Sequence, residues 1–362
     1  MPKKPLKTNI TIHQGECTEV MRNMHESCVD SIVCDPPYGL RAKPQPIADV
    51  LRDWSQGHSR APTGAGFTGH VWDAEVPGPE VWKEALRILK PGGHLVAFFS
   101  TRTYHLGAIA IALAGFEIRD MLSWLHAQGM PKNGDIGKGF SKRGGNTKAY
   151  EKAYAGWSTT LKPGQEPLVL ARKSLQQKSV FENVIVHGTG PLNIKGCEVV
   201  DPSCTTIGRW PANVCHDGSD EVEGVFAQFG NRPTGAKKEG ACRVRFSPVY
   251  GSARKHSSYK DIPPTDGSAS RFYFCGKASA KERGYENSHP TVKPLALMQW
   301  LVRLVTPPGG IVVDPFAGSG TTGMAATSEG FRSILMEREE EYVEIMKTRF
   351  TKEGIAFSVG VG

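Results

Sequence analysis

The sequence predicts an α/β fold built on a parallel sheet, and three observations predict it. Short β-branched runs alternate with stretches of helical periodicity at both ends of the chain. Two of these runs end in an aspartate followed by proline (Asp35, Asp314) and pass straight into turns. Between the two ends lies a long stretch of Gly, Pro, Asn and Ser in which the periodicity dissolves.

Taken in order, Asn9–Ile12 and Ser31–Cys34 read as strands, each followed by small or turn-forming residues. Pro79 opens a helix with Val81, Trp82, Ala85, Leu86, Ile88 and Leu89 at helical spacing. Pro91-Gly92-Gly93 is expected to stop it, with a buried strand at His94–Phe99. Thr103–Gly115 reads as helix and Glu117–Leu125 as strand. From His126 to about Tyr285 only short runs stand out, at Leu168–Ala171, Val184–Val186 and Arg271–Phe274. Helical spacing returns with Leu295, Met298, Leu301, Val302 and Val305 on one face. A strand (Ile311–Val313), a Gly-rich turn, a helix (Thr321–Glu329), a strand (Ser333–Met336) and a helix (Glu340–Phe350) follow. The expected organisation is one α/β domain made of residues 1–125 and 286–362, interrupted by an insertion over 126–285.

The 362 residues can form one large domain or two ordinary ones, each able to bury a core. Hydrophobic residues are 39% and mean hydropathy is −0.33, which points to a soluble globular protein. The longest apolar run, Leu106–Phe116, falls short of the about 20 residues of a membrane span. No apolar signal segment follows the Met-Pro-Lys-Lys start, so neither a membrane nor a secreted protein is expected. The eight cysteines contain no CxxC pair and read as reduced thiols of a cytoplasmic protein.

Charge is unevenly placed. Net charge is +8, and residues 126–280 hold 22 Lys/Arg against 13 Asp/Glu, or +9. The remaining 22 against 23 sum to −1, so all of the excess lies in the middle. Such asymmetry points to a polyanionic partner, although a solvated Lys-rich insertion gives the same count.

Two motifs carry chemistry. In Ile32-Val33-Cys34-Asp35-Pro36-Pro37-Tyr38-Gly39 a buried strand ends in Asp, two prolines and an aromatic. The prolines fix φ and hold their neighbouring carbonyls outward. A carboxylate and a fixed carbonyl together accept two hydrogen bonds from one planar amino group, and a tyrosine stacks on the ring that bears it. That is what the exocyclic amine of adenine or cytosine requires, although Asp-Pro-Pro is also an ordinary turn. In Asp314-Pro315-Phe316-Ala317-Gly318-Ser319-Gly320-Thr321 a strand enters a small-residue turn and a helix start, where backbone N–H groups approach a ligand closely. No Lys follows, which excludes a P-loop. Glu337 ends the next strand, 23 residues after Asp314, where a carboxylate can bind ribose hydroxyls. A nicotinamide cofactor would fit this second motif equally well.

Together, Asp-Pro-Pro-Tyr and Asp-Pro-Phe-Ala-Gly-Ser-Gly resemble the amino-group DNA methyltransferases, in their catalytic motif IV and S-adenosylmethionine motif I respectively. The order IV, insertion, I resembles the β class, a circular permutation of the Rossmann-like methyltransferase sheet with a target-recognition region between the halves. His289–Pro294 is similar to the segment before the motif X helix, and Leu89–His94 to the one after the catalytic strand. Gly156–Lys173 and Arg271–Lys277 resemble phage- or prophage-type members.

The resemblance implies that Asp35 and the Pro36 carbonyl hold the target amine, with Pro37 in the same turn and Tyr38 stacked on a flipped base. It implies S-adenosylmethionine as cofactor, lined by Asp314, Pro315, Phe316, Gly318 and Gly320, with Glu337 on its ribose and Lys293 and Glu16 nearby. Glu16 departs from the Gly-Asp of many members by one methylene, and a surface carboxylate is the other reading. Double-stranded DNA is the implied substrate, with a homodimer and a cognate restriction endonuclease as further partners. The setting is the cytoplasm of a bacterium or of a phage-infected host.

Direct methyl transfer needs no covalent enzyme intermediate, and the chain has no Pro-Cys of the cytosine-C5 kind. Asp-Pro-Pro-Tyr is the commoner form in adenine-N6 enzymes, which makes adenine-N6 the expectation. Cytosine-N4 methylation, an RNA or protein methyltransferase and a catalytically silent DNA-binding module are the rivals. The basic residues in Lys132–Lys152 are expected to lie on a mobile loop that follows the phosphate backbone, with a solvated surface loop as the other reading. Arg243, Arg245, Arg254, Lys255 and Lys260, interleaved with Phe246, Tyr250 and Tyr259, form a second candidate DNA surface. Cys197, Cys204, Cys215, His216 and Cys242 match no zinc spacing, and no metal is expected. Arg41–Asp73 reads as a loop over the flipped base or a plain connector.

Overall fold

The computed structural model describes residues 9–40, 46–57, 69–127, 134–143, 147–201, 204–231, 267–276 and 292–360, with Gly64, Gly66 and Gly129. β1 (Ile10–Gln14) leads through α1 (Cys17–Arg22) to β2 (Val29–Cys34). After α2 (Ile47–Ser55) and a 3-10 turn (Val71–Ala74), α3 (Pro79–Ile88) runs directly into β3 (Leu89–Phe98). α4 (Tyr104–Leu113) and β4 (Glu117–Leu125) close the first half. The middle carries α5 (Ile136–Arg143), α6 (Lys148–Ala153), β5 (Gln165–Arg172), α7 (Val180–His187), β6 (Val199–Asp201), β7 (Cys204–Arg209), β8 (Val214–His216), α8 (Asp220–Ala227) and β9 (Phe274–Cys275). The last part is α9 (Leu295–Val305), β10 (Ile311–Asp314), α10 (Thr321–Ser328), β11 (Arg332–Glu337), α11 (Glu340–Lys352) and β12 (Phe357–Val359).

Ten strands form one sheet in the order β12-β1-β11-β10-β2-β3-β5-β4-β8-β9. Every pairing is parallel except the two made by β5, which is reversed between β3 and β4. Helices cover both faces, and the alternation of side chains shows why the strands read as continuous apolar runs. Ile32, Cys34, Leu95 and Ala97 face one core with Trp82, Ala85 and Ile111. Val33, Val96 and Phe98 face a second core with Leu297, Trp300 and Leu301. Ile10, Ile12 and Leu335 pack with Val343, Met346 and Phe350 of α11 in a third.

The sheet departs from the sequence expectation in four places. Residues 126–285 do not stand apart from it, because β5, β8 and β9 are three of its strands. Pro91-Gly92-Gly93 does not separate helix from strand: α3 already ends at Ile88, and the triplet forms an irregularity inside β3. Leu89 to His94 there spans the register step from Val29 to Ser31. Gly92 has φ +81°, and a Cβ on it would lie 2.5 Å from Asn183 Nδ2. Lys132–Lys152 is not a loop over most of its described residues, which form α5 and α6, because Asp135 accepts from Lys138 N at 3.2 Å at the start of α5 and from Gly156 N at 2.9 Å. The Val184–Val186 run lies in α7, which the Ser179 hydroxyl caps at Glu182 N (3.2 Å) and Gly188 ends at φ 76°. Within Arg41–Asp73, Ile47–Ser55 is helical after Pro46, with Trp54 packed on the first core, so that segment is more than a loop.

α9 is buried beyond its predicted stripe, because the middle of the chain covers its other side. Trp300 Nε1 donates to Cys197 O at 3.4 Å, and Asn193 N donates to Leu304 O at 2.8 Å. Among the described residues, no helix is long and apolar enough to cross a membrane.

Candidate active site

β10 and β2 are neighbours, and the chain leaves them in opposite directions across the sheet. In an open α/β sheet such a switch point opens a crevice at the carboxyl ends of the strands. Asp314 ends β10 and Asp35 follows β2, so both lie at this crevice. Pro36 is buried, and Pro37 and Tyr38 are half-buried. Gly39 completes the turn at φ +62°, and a Cβ there would sit 2.7 Å from Val76 N. The strands beneath are pinned by Asp30, which accepts from Lys90 Nζ at 2.6 Å and from Ile311 N at 2.8 Å.

Asp35 lies in a cluster of buried and half-buried polar groups. Lys293 Nζ is 2.6 Å from Asp35 Oδ2 and 3.3 Å from Glu166 Oε2, and the Tyr38 hydroxyl donates to that same Glu166 oxygen at 3.0 Å. The ammonium sits over the rings of Tyr38 (5.3 Å) and Phe98 (5.0 Å). Among the described residues the buried Asp35 Oδ1 has no hydrogen-bond partner, and the Tyr38 hydroxyl, which donates to Glu166, stands near enough to the Asp35 carboxyl to favour its ionised form. Burial pushes the Asp35 carboxyl above the usual range, with Glu166 adding to the rise and Lys293 opposing it. Burial works against the Lys293 cation, but Asp35 and Glu166 outweigh it and raise its pKa. Burial also raises Tyr38 well above a free phenol, with both carboxylates adding to it. His126 stands behind Glu166, with Nε2 3.8 Å from Oε1, and burial lowers its pKa toward the neutral ring.

On the other side of the crevice, Asp314 is 2% exposed and accepts from Phe316 N at 3.0 Å and from the Thr322 hydroxyl. Its pKa is pushed up to about 7, by burial first, with Asp35 and Glu337 adding to it. Pro315 is buried behind it, and Phe316 packs on Trp82 with ring centroids 6.1 Å apart. Gly318 N donates to Glu337 Oε2 at 2.8 Å, and Glu339 N to Oε1 at 2.9 Å. Gly320 has φ +83°, and a Cβ there would lie 2.6 Å from Met346 Cγ, so the packing of α11 itself demands glycine. Arg349 of α11 holds the turn through Ser319 Oγ (2.8 Å) and Thr321 Oγ1 (3.3 Å). Glu16, after β1, reaches Arg338 at 3.5 Å beside Glu337.

The fold thus brings all twelve sequence-derived site residues to one edge of the sheet. Lys293, expected beside the cofactor, has its amine on Asp35 and Glu166. Glu166 and His126 were not singled out from sequence. Glu166 precedes the apolar Leu168–Ala171 run, but only the reversal of β5 carries its start to the carboxyl edge of the parallel strands. Cys197 and Cys215 are buried, and their thiols donate to Trp300 O and Ser123 O, each at 3.6 Å. Burial pushes both up to about 12.

In the middle of the chain, α5 and α6 form a hairpin knit by Phe140, Tyr150, Tyr154 and Trp157. Lys138, Lys142, Arg143, Lys148 and Lys152 are exposed on it, and Trp157 is 62% exposed. Lys132, the stretch from Arg243 to Lys260, Cys242 and His289–Thr291 lie outside the described residues.

Known proteins resemble this chain at the levels of family, sequence and fold. The Type II methyltransferase M.HindIII of Haemophilus influenzae is 22% identical over 342 residues, 87% of this chain and 86% of that protein. The Type II methyltransferase M2.DpnII of Streptococcus pneumoniae is 35% identical over 88 residues, 24% of this chain and 33% of that protein. The cytosine-N4-specific PvuII DNA methyltransferase superposes with a TM-score of 0.50 at 16% identity, covering 97% of this chain and 95% of that one, which shows a common fold. The model of the N6/N4 DNA methylase family matches residues 29–348. With that match running from the first residue of β2 into α11, the chain belongs to the N6/N4 amino-group DNA methylases, enzymes whose methyl donor is S-adenosylmethionine.

Proposed function

We propose that this chain methylates the N6 amine of adenine in double-stranded DNA, after flipping the base into the crevice at Asp35. One observation carries the reading: a buried carboxylate oxygen, Asp35 Oδ1, has no hydrogen-bond partner among the described residues and lies at the switch point of the sheet. An acceptor buried without a donor is costly, so its persistence at a crevice points to a donor that arrives with the substrate. The preference for adenine over cytosine rests on the Asp-Pro-Pro-Tyr form of the turn.

The residues opposite fit the cofactor. Among the described residues neither Asp314 nor Glu337 has an ion-pair partner, and both carboxyls have raised pKa values, which favours a cationic ligand bearing hydroxyls. Asp314, Phe316, Gly318 and Glu337 would hold it, with Pro315 and Gly320 shaping the turn and Glu16 and Lys293 at its margins. When bound, S-adenosylmethionine supplies a methyl group on a sulfonium.

An exocyclic amine is a weak nucleophile because its lone pair is delocalised into the ring. Asp35 Oδ1 and the Pro36 carbonyl accept its two N–H bonds, favouring a more tetrahedral nitrogen with an available lone pair. Tyr38 stacks on the base and fixes its plane. The catalysis is orientation and electrostatics in a site from which the strands exclude water. Flipping costs a few kcal/mol. The exposed cations and aromatics of the α5–α6 hairpin fit a phosphate backbone, and the parts of residues 126–285 outside the sheet would supply the target-recognition region. The working form is a homodimer, and a cognate endonuclease accompanies it if the enzyme protects a defined site.

The test is expression in a host without DNA methylases, followed by single-molecule sequencing of native genomic DNA. N6-methyladenine within one motif is the expected result. N4-methylcytosine would reverse the base assignment, and unmodified DNA with methylated RNA would overturn the reading.

A further inference from the structure

We propose that Glu166 is a positioning residue for methyl transfer: it holds Lys293 and Tyr38 so that Lys293 takes up only Oδ2 of Asp35 and Oδ1 is left for the target amine. The inference rests on the reading of Asp35 given under Proposed function.

An ammonium has three donors, and beside a lone carboxylate it can bridge both oxygens. Here Lys293 Nζ lies 2.6 Å from Asp35 Oδ2 and is drawn aside by Glu166 Oε2 at 3.3 Å, while Oδ1 has no hydrogen-bond partner among the described residues. Glu166 Oε2 also accepts the Tyr38 hydroxyl at 3.0 Å, which sets the tilt of the ring expected to stack on the base. A buried lysine needs one carboxylate to balance it. A second one leaves the cluster with an excess negative charge in a desolvated place, which weakens the fold rather than stabilising it. Expensive polar arrangements of this kind are kept where chemistry requires them. The reversed strand β5 is what delivers Glu166, because a parallel strand in its place would put its first residues at the opposite edge.

The charged and titratable groups facing Asp35 are Lys293, Glu166, Tyr38, Cys34 and Asp314. Glu166 itself faces Lys293, Tyr38, Asp35 and His126, with Asp217 beyond the histidine. An anion at Glu166 opposes ionisation of Asp35, so removing that anion lets Asp35 ionise at lower pH.

The experiment is single-turnover methylation of a duplex by the full chain carrying Glu166→Gln, which keeps size and removes charge. The expected result is a loss of about 10²-fold in the methyl-transfer rate at neutral pH. Cofactor affinity measured by calorimetry should be unchanged, and the acid limb of the pH–rate profile should move to lower pH, a shift that a merely structural role would not produce. Tyr38→Phe should slow transfer without moving that limb downward. Glu166→Gln with the wild-type rate and an unmoved acid limb, beside an inactive Asp35→Ala, overturns the inference alone. An active Asp35→Ala overturns the reading on which it rests. If Glu166→Gln fails to fold, Tyr38→Phe decides: slowed transfer with intact cofactor affinity supports the inference, and a wild-type rate overturns it.

Discussion

Asp35 and Asp314 are chemically identical, yet the crevice surrounds them differently. Asp35 is paired on one oxygen by a lysine and bare on the other. Asp314 has no ion-pair partner among the described residues and is held by Thr322 and a backbone N–H. Asp35→Asn, which turns one acceptor into a donor, should lower the methyl-transfer rate by about 10²–10³-fold while leaving cofactor affinity near wild type. Rapid-quench assays and calorimetry on the same preparation check both halves. Asp314 gives a prediction in pH. Its folded pKa of about 7 lies above its ordinary 3.8, so the folded state holds an extra proton between these values. The stability it contributes is therefore full at low pH and is lost as pH rises through about 7. Asp314→Asn should remove that slope, giving a higher melting temperature than wild type at about pH 8. It should also bind S-adenosylmethionine more weakly, because the carboxylate that attracts the cation is gone.

Elements set where such residues can meet. α10 begins at Gly320 in a left-handed conformation, and its approach to Met346 and Phe350 lets α11 pack under the cofactor turn. Gly320→Ala combines left-handed strain of about 1–2 kcal/mol with overpacking of about 1–3 kcal/mol. A loss of about 2–5 kcal/mol in urea unfolding is expected, with weakened cofactor binding. Most elements were legible in the sequence. Glu117–Leu125 and Leu295–Val305 stand where their periodicities put them, because a strand or helix buried on a face advertises that face locally. Others were not. The short Val29–Cys34 run says nothing of which strand lies beside it. The Leu168–Ala171 run cannot announce that it runs backwards, since a strand buried on both faces reads alike in either direction.

At the scale of the molecule, the Asp314–Gly320 turn, the Asp35–Gly39 turn and the basic middle of the chain all join one sheet. The α5–α6 hairpin carries five exposed cations, Lys138, Lys142, Arg143, Lys148 and Lys152. Reversing Lys138 and Lys142 together should weaken duplex binding at low salt. It should also reduce the slope of log affinity against log salt by about one for each phosphate that is no longer neutralised. The methylation rate at saturating DNA should change little, and filter binding over a salt series separates the two effects.

The α/β class, the two Asp-Pro turns and the charge excess of the middle segment were readable from the residues alone, because each is local in the chain: a period, a dipeptide, a composition. Tertiary structure alone decided that Asp35 is held by Lys293, 258 residues away, and that Glu166 stands opposite through a reversed strand. Pairing across such distances leaves no spacing in the sequence. It is set by which strands become neighbours, and that follows from burying both faces of the whole sheet at once.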